Sequence, residues 1–172
     1  MRLIVEVMNP EIVPQFKKDI QEAFQLAFED SGGTSDEPVL PIRDIDESLN
    51  KPHAVAYQAI LDGELVGGAV IEIDPETQHN HLDFLYVKVG QQGKKIGQTI
   101  WKTIEANHSE TCVWETYTPY FDRRNIHFYV NACGFQIVEF FHEGHPMPHE
   151  EGSDETDGPA LDGFFRFEKR MK

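Results

Sequence analysis

Two β-favouring segments joined by an Asp-Gly turn place the strongest constraint on how this chain folds. The stretch HAVAYQAILDGELVGGAVIEID, residues 53–74, carries Asp62-Gly63 between two apolar halves. A type I′ hairpin turn has positive φ at both central residues, and Asp-Gly is a dipeptide that tolerates this conformation. The sequence therefore predicts two neighbouring antiparallel strands.

The chain after this hairpin alternates between strands and helices. Residues 82–89 are nearly continuously apolar, which is typical of a central strand buried on both faces. Apolar residues then recur at helical spacing between about residues 94 and 107. The other predicted elements are helices at residues 9–30, 44–51 and 122–134 and strands at residues 3–8, 111–118, 135–141 and 163–171.

The order of these elements, β-α-α-β-β-β-α-β-α-β-β, predicts the fold class. Hairpin connections give antiparallel neighbours, whereas a strand-helix-strand unit gives a parallel pair. We expect an α/β fold of the three-layer α+β type, with helices on both faces of a mixed, mostly antiparallel central sheet of about seven strands. The length of 172 residues suits a single domain spanning residues 1–172.

Composition and charge narrow the class of function. The chain has 30 acidic and 15 basic residues and a net charge of −15, so nucleic acid is not an expected partner. The same charge attracts cations, including a protonated amine. No apolar stretch approaches the length of a membrane span, and two cysteines do not suggest a disulfide framework. We therefore expect no membrane partner and a cytoplasmic location.

The stretch VKVGQQGKKIGQTIW, residues 87–101, leads from the buried strand into a helix through a basic, glycine-containing loop. Backbone N–H groups at a helix N-terminus are unpaired and the helix dipole adds positive charge, so phosphates bind there. The spacing of Gly90, Gly93 and Gly97 fits neither the P-loop nor the dinucleotide-binding fingerprint. On these residues alone, the loop is either a phosphate site or a surface turn with solvated lysines.

This stretch resembles motif A of the GNAT acyltransferases, the Gcn5-related N-acetyltransferases. In that motif, Gln/Arg-x-x-Gly-x-Gly/Ala opens a helix after a buried strand. Gln92 falls on the first position and Gly97 on the last, with Val87 at the end of the strand. Lys95 occupies the position of the family's first glycine, which is a departure. The lysine would either crowd the pyrophosphate turn or add a charge to it.

A second segment, DRRNIHFYVNACGF at residues 122–135, resembles the family's Asn-x-x-Ala-x-x-Phe-Tyr motif followed by Gly-Phe. Tyr129 falls on the family's tyrosine and Gly134 on the turn into the next strand. Asp122 stands in place of the usual Asn, and Asn125 in place of the usual small residue. One more residue than is common separates Tyr129 from Gly134. In the order of strands and helices, the resemblance covers almost the whole chain.

The resemblance implies that the chain binds acetyl-CoA, as acyl donor, between two splayed parallel strands, residues 82–89 and 112–118. The pyrophosphate would lie on the loop and the first helical turn, and the pantetheine would pair with the strand edge. The cofactor-binding residues implied in this way are Val87, Val89, Gln92, Gly93, Lys94, Lys95, Ile96, Gly97, Gln98, Asn125 and Tyr129.

The reaction implied by the resemblance is N-acetylation of an amine by direct attack on the thioester. Tyr129 would protonate the departing thiolate, by analogy with the family. A base must deprotonate the acceptor amine, and Glu115 and Asp83 are the foremost candidates because a strand carboxylate in a cleft can have a raised pKa. His81, Glu72 and a chain of waters are the alternatives.

The loop at residues 143–162 is acidic and contains histidines. His142, His145 and His149 raise the hypothesis of a zinc or nickel site. Pro146, Pro148 and seven acidic residues favour a solvated loop instead, so we predict no metal ligands. A flap that faces the substrate is a further alternative.

A rival interpretation is a CoA-binding or interaction module that has this fold and little or no catalytic activity. Under the enzymatic interpretation, the expected partner is a small-molecule amine, and exposed sheet edges leave a homodimer open. Cys112 and Cys133 are interpreted as packing residues, because one begins an apolar strand and the other precedes a helix stop.

Overall fold

The computed structural model describes residues 2–34, 36–147 and 163–171. The strands within these residues are β1 (Leu3–Val7), β2 (Ala54–Leu61), β3 (Glu64–Glu72), β4 (His79–Val87), β5 (Val113–Pro119), β6 (Gln136–Phe141) and β7 (Phe164–Arg170). The α-helices are α1 (Val13–Asp30), α2 (Ile42–Leu49), α3 (Ile96–Asn107) and α4 (Arg123–His127). A 3₁₀ turn (Pro10–Ile12) precedes α1, and a π-helical turn (Phe128–Ala132) follows α4. None of the described helices has both the length and the apolar character needed to cross a membrane.

The strands form one seven-stranded sheet with the order β1-β2-β3-β4-β5-β7-β6. Neighbouring strands are antiparallel except β4 and β5, which are parallel. Parallel neighbours need a crossover connection, and α3 provides it. The predicted mixed, mostly antiparallel sheet is therefore confirmed.

The turn between β2 and β3 has the predicted geometry. Asp62 has a φ of 51° and Gly63 a φ of 87°. Positive φ at both central positions is what a type I′ turn requires. The turn pairs Leu61 with Glu64 and places β3 beside β4.

Helices cover both faces of the sheet, as predicted. α1 and α2 pack on one face, where Phe16 is fully buried and meets Tyr86 edge-on. α3 packs on the other face, where Trp101 meets Trp114 of β5 with ring centroids 5.0 Å apart. The adjacent residues Leu85 and Tyr86 of β4 point into the two different cores. Each buried side chain of this size stabilises the fold by about 1.5–3 kcal/mol.

Two predicted boundaries around the basic loop differ from the structure. β4 ends at Val87, because Val89 already lies in the loop and is 38% exposed. α3 begins at Ile96, because Lys95 has a φ of 59° and a ψ of 23°. This left-handed backbone cannot continue a right-handed helix, so the helix starts after it.

The predicted helix at residues 122–134 is divided into α4 and a π-helical turn. In the π turn, the N–H of Cys133 donates to the carbonyl of Phe128, five residues earlier, over 3.0 Å. A π turn holds one residue more than an α turn. The extra residue between Tyr129 and Gly134 is therefore accommodated inside the helix, and Gly134 follows it with a φ of 83°.

Candidate active site

β4 and β5 separate partway along their length, and the gap that opens between them is called the splay. Their parallel pairing runs from His79 with Val113 to Leu82 with Thr116, and β4 then continues to Val87 paired with β3 but not with β5. At the last shared pair, the Thr116 hydroxyl donates to the Leu82 carbonyl oxygen over 2.8 Å. Beyond it, the β5-facing backbone groups of β4 have no strand partner within the described residues. Such groups are available to an extended ligand.

A cleft of about 910 Å³ lies where the two strands diverge. Its walls come from the C-terminal half of α1, the end of β4, the basic loop, the first turn of α3, and the segment that includes α4. A volume of this size is in the range of small-molecule and cofactor sites.

The N-terminus of α3 opens into this cleft without a side-chain cap. The first N–H groups of a helix have no acceptor within the helix, and the helix dipole adds partial positive charge to them. Lys95, Arg123 and Arg124 line the same cleft. On a chain with a net charge of −15, this is a local concentration of positive charge suited to phosphate groups.

At two positions of the stretch that resembles motif A, the structure shows why a glycine is favoured. Lys95 stands in the left-handed conformation that glycine adopts most readily, at the position of the motif glycine. A Cβ atom at Gly97 would lie 3.1 Å from the ring of Phe128, which is tighter than ordinary contact. The glycine thus lets α3 approach the ring that forms part of the cleft wall.

Most of the residues predicted to bind the cofactor lie in the cleft wall. They are Val87, Gln92, Gly93, Lys95, Ile96, Gly97, Gln98 and Asn125. Val89, Lys94 and Tyr129 are not in that wall. The Lys94 ammonium donates to the side chain of Gln91 over 2.9 Å, so it stabilises the loop instead.

Two parts of the wall were not predicted from the sequence. Phe24 and Ala27 of α1 line the cleft, although neither is among the residues predicted to bind the cofactor. Phe24 is half-buried. Arg123 and Arg124 were also missed, and two consecutive cations in an acidic chain were the signal that could have identified them.

Tyr129 lies beside the closed end of the splay. It is 3% exposed, and its ring packs against those of Phe135 and Phe167. Its hydroxyl lies near Thr116, which acts to lower its pKa. Burial, the main cause, raises the pKa of Tyr129 above its ordinary value, so the phenol stays protonated at neutral pH.

Asp83 belongs to a polar group on the sheet face that carries α1 and α2. Its side chain is 6% exposed and contacts Nδ1 of His81 at 2.5 Å, Nζ of Lys51 at 3.1 Å and the Ser48 hydroxyl. Burial acts to raise the pKa of Asp83, but these partners outweigh it and hold the pKa below its ordinary value. Asp83 is therefore an ionised carboxylate at neutral pH.

Glu115 lies on β5, opposite His81 in register. It accepts from the Tyr117 hydroxyl at 2.7 Å and is hydrogen-bonded to Nε2 of His79 at 2.9 Å. Burial raises the pKa of Glu115, but these bonds and the nearby charges outweigh it and lower the pKa. The raised pKa that a strand carboxylate can acquire in a cleft is thus found at neither Asp83 nor Glu115.

One described group of side chains has the spacing of metal ligands. His79, Glu115 and Glu168 each place one ligand atom within 4.8 Å of the others. Arg166 donates to Glu168 over 2.7 Å and lies 3.7 Å from Glu115. Because the Arg166 guanidinium already lies against both carboxylates, where it would repel a cation, we assign no metal to this group.

The acidic loop predicted at residues 143–162 is described only as far as residue 147. His142 and His145 form an isolated backbone bridge, and Nε2 of His145 lies 2.7 Å from Glu139. His149 and the segment proposed as a flap lie outside the described residues.

Comparison with known sequences identifies relatives. A sequence model of the Acetyltransferase (GNAT) family matches residues 17–135. A Bacillus subtilis (strain 168) protein described as "Uncharacterized protein YrkN" is 47% identical over 175 residues, which cover 99% of this chain and 95% of the relative.

Solved structures share the fold. A spermidine N-acetyltransferase from Vibrio cholerae, in complex with CoA and spermine, has a TM-score of 0.69 at 12% identity, covering 98% of this chain and 95% of that chain. A PaiA N-acetyltransferase from Thermoplasma acidophilum, in complex with CoA, has a TM-score of 0.68 at 18% identity, covering 99% of each chain. These likenesses agree with the seven-stranded sheet and its splayed central strands. Together with the family match over residues 17–135, they show that the chain belongs to the acetyltransferase (GNAT) family.

Proposed function

We propose that this protein is an N-acetyltransferase that transfers an acetyl group from acetyl-CoA to a small-molecule amine. The observation that carries the proposal is that one cleft combines the splay beyond Leu82 and Thr116 with the uncapped N-terminus of α3. CoA has an extended arm and a pyrophosphate. The free strand edge suits the arm, and the helix N-terminus suits the phosphates.

The residues of the cleft fit CoA. The N–H groups at residues 96–98 and the cations of Lys95, Arg123 and Arg124 would hold its phosphates, while the edge of β4 up to Val87 would pair with its arm. When bound, acetyl-CoA supplies the acetyl group as a thioester, which is activated toward amines. The Vibrio cholerae and Thermoplasma acidophilum proteins, which share this fold, are both described as complexes with CoA.

Tyr129 is the proposed donor of a proton to the departing sulfur. Its protonated hydroxyl meets Thr116 at the closed end of the splay. A general acid must be within hydrogen-bonding reach of the leaving atom, and the end of the splay is where an arm lying along β4 would bring the sulfur. The acceptor of the amine proton is proposed to lie in the polar group that includes His81, Asp83 and Glu115.

Direct transfer, without an acyl-enzyme, fits the environment of the cysteines. Cys133 is 5% exposed, and burial raises the pKa of its thiol to about 12. A cysteine acts as a nucleophile through its thiolate, so Cys133 is inert at neutral pH. Cys112 is half-buried next to β5, and the described lining of the cleft contains no cysteine.

The proposed acceptor is a cationic small-molecule amine, because a net charge of −15 steers cations toward the protein. The Vibrio cholerae neighbour is named for such an amine, spermidine. The free thiols of both cysteines fit a reducing compartment, so a cytoplasmic location is part of the proposal. A homodimer stays a prediction, and the edge strand β6, with Ile137, Val138 and Phe140 exposed, is its candidate surface.

Calorimetry with acetyl-CoA, followed by assay of CoA thiol release with a panel of amines, tests the proposal. We expect acetyl-CoA to bind with a Kd of about 1–100 µM, and thiol to be released with cationic amines. Binding without turnover would favour the rival, a CoA-binding module with this fold. If acetyl-CoA does not bind, both interpretations are wrong.

A further inference from the structure

We propose that His81 is the general base that deprotonates the acceptor amine and that Asp83 is the residue that positions it. This proposal rests on the acetyltransferase function proposed above. It identifies the side chain that accepts the proton which the amine must lose in that reaction. Three observations support it: the hydrogen bonds of Asp83, the bulge in β4, and the place of His81 beside the splay.

The carboxylate of Asp83 fixes the tautomer of His81. Oδ1 of Asp83 lies 2.5 Å from Nδ1 of His81, while Oδ2 accepts from Lys51 at 3.1 Å and from Ser48. An ionised carboxylate only accepts hydrogen bonds, so Nδ1 of His81 carries a proton. In the neutral ring, Nε2 then has the lone pair that can take up a proton.

A β-bulge in β4 sets the position of Asp83. Leu82 pairs with Ile71, and Phe84 pairs with the next residue of β3, Val70, so Asp83 is the extra residue. Bulges redirect side chains and are frequent next to active sites. Here the bulge turns the carboxylate toward α2, where Ser48 donates to it, and Lys51, just after that helix, is the second donor.

His81 lies one residue before the point at which β4 and β5 separate. It pairs with Glu115, and the following pair, Leu82 with Thr116, is the last. The side chain of His81 is 31% exposed and lies 5.5 Å, between ring centroids, from Tyr117. The imidazole therefore lies next to the closed end of the splay and lines a second cavity, of about 420 Å³, from which an amine could reach it.

The charged and titratable groups around the imidazole come from several elements. They are His79 and Asp83 on β4, Glu115 and Tyr117 on β5, Glu72 on β3, Asp74 and Glu76 after β3, and Lys51 and His53 before β2. Asp83 and Glu115 both already hold hydrogen-bonding partners. Nε2 of His81 has no hydrogen-bonding partner among the described residues, so it is free to accept.

In the transfer step, Nε2 of His81 takes the proton that the acceptor nitrogen loses. The nitrogen lone pair forms the bond to the acetyl carbon, the carbon–sulfur bond breaks with its electron pair going to sulfur, and Tyr129 gives the sulfur a proton. Asp83 stays ionised and stabilises the imidazolium that forms.

Nitrogen NMR of the histidine side chains in the ligand-free protein tests the tautomer. We expect the His81 signals, assigned by their loss in His81→Gln, to show a proton on Nδ1 and none on Nε2 at about pH 8. A neutral ring with its proton on Nε2 would overturn the assignment whatever the kinetics show.

Kinetics test the role of the imidazole. In His81→Gln, kcat should drop by about 10²–10⁴-fold, and the pH profile of kcat/KM should lose the acidic limb that a general base gives the wild type. Asp83→Asn retains the size of the side chain, but its amide can donate to Nδ1 and so favour the ring tautomer that carries its proton on Nε2. In that tautomer Nε2 cannot accept a proton, so we expect a lower kcat with little change in KM. Acetyl-CoA affinity, measured by calorimetry, should stay within about twofold in both variants, which shows that they are folded.

His53→Gln is the matched control, because it removes an exposed histidine from the cavity of about 420 Å³ that His81 also lines. We expect it to keep the wild-type rate and profile. If His81→Gln also keeps them, His81 is not the base, although the acetyltransferase function stands. If the wild type acetylates no amine in the panel, both proposals fail together.

Discussion

Thr116 and Leu82 are joined by a hydrogen bond at the last pair that β4 and β5 share, where the Thr116 hydroxyl donates to the Leu82 carbonyl oxygen over 2.8 Å. The same threonine is 1% exposed and lies near the Tyr129 hydroxyl. One buried side chain therefore connects the closed end of the splay to the proposed general acid.

Thr116→Val should destabilise the protein. Valine keeps the shape of threonine but leaves the Leu82 carbonyl without this buried donor, so the free energy of unfolding should fall by about 1–3 kcal/mol in urea titrations. Thr103→Val is the control, because that hydroxyl bonds only the Thr99 carbonyl of its own helix. An equal loss in both variants would mean that the Thr116 hydroxyl has no special role between the strands.

Tyr129→Phe should lower kcat by about 10²-fold on a confirmed amine substrate. The pKa of Tyr129 is raised by burial, so the phenol is protonated across the neutral range and the loss should be the same at every pH from about 6 to 9. Stopped-flow measurement of thiol release checks this expectation. Unchanged turnover in a folded variant would remove Tyr129 from the role of acid.

Lys95→Gly and Lys95→Ala should separate backbone strain from charge. Left-handed backbone is costly for a residue with a Cβ, so we expect glycine to raise the free energy of unfolding by about 0.5–1 kcal/mol and alanine to leave it nearly unchanged. Both variants remove a cation from the cleft wall, so acetyl-CoA affinity should fall by about 3- to 5-fold in each.

Lys102→Ala is the matched control for the charge, since this exposed lysine of α3 is outside the cleft wall. Calorimetry at low and high salt measures the affinities. If Lys95→Ala binds acetyl-CoA as Lys102→Ala does, the Lys95 ammonium does not contact a phosphate.

Acidification should destabilise the protein through His108. Burial, the main cause, lowers the pKa of His108 below its ordinary value of 6.5, against the charge of Glu110. The unfolded chain therefore binds this proton more tightly than the folded one. The contribution of neutral His108 to the free energy of unfolding is fully present above about pH 6.5 and is lost as the pH falls toward the folded pKa.

Urea midpoints at about pH 7.5 and pH 5.5 measure this effect, in a range above the titration of ordinary carboxylates. The midpoint should fall further in the wild type than in His108→Gln. The neutral ring is hydrogen-bonded to the Tyr57 hydroxyl over 2.8 Å, so the substitution also has a cost that does not depend on pH. Parallel pH dependence in the two proteins would show that another group titrates.

The fold was predictable because its signals are local. Each signal depends on residues that are close together in the sequence. These signals are the Asp62-Gly63 turn, the continuous apolar strand before the basic loop and the helical period of α3. The two resembling motifs then identified the family, and the predicted loop lies at the N-terminus of a helix that opens into the cleft.

The chemistry of the polar group was less predictable. The pKa of Asp83 is lowered first by His81, two positions away, and then by Ser48 and Lys51, which lie more than 30 positions away. The pKa of Glu115 is lowered first by Tyr117, two positions away, and then by His79, which is 36 positions away. The distant partners leave no periodic pattern in one sequence, and the rotamers that bring the near ones into contact depend on packing, so the direction of the pKa shifts could not be predicted.

By itself, the sequence determined the order of strands and helices along the chain and the type I′ turn between β2 and β3, and it left the basic loop as either a phosphate site or a surface turn. Turn chemistry and periodicity act over short stretches of chain. Only the tertiary structure decided that a π turn accommodates the residue after Tyr129, that Lys95 takes the left-handed backbone of a glycine, and that Asp83 holds His81. These features depend on packing and hydrogen bonding with the rest of the fold, which local preference does not specify.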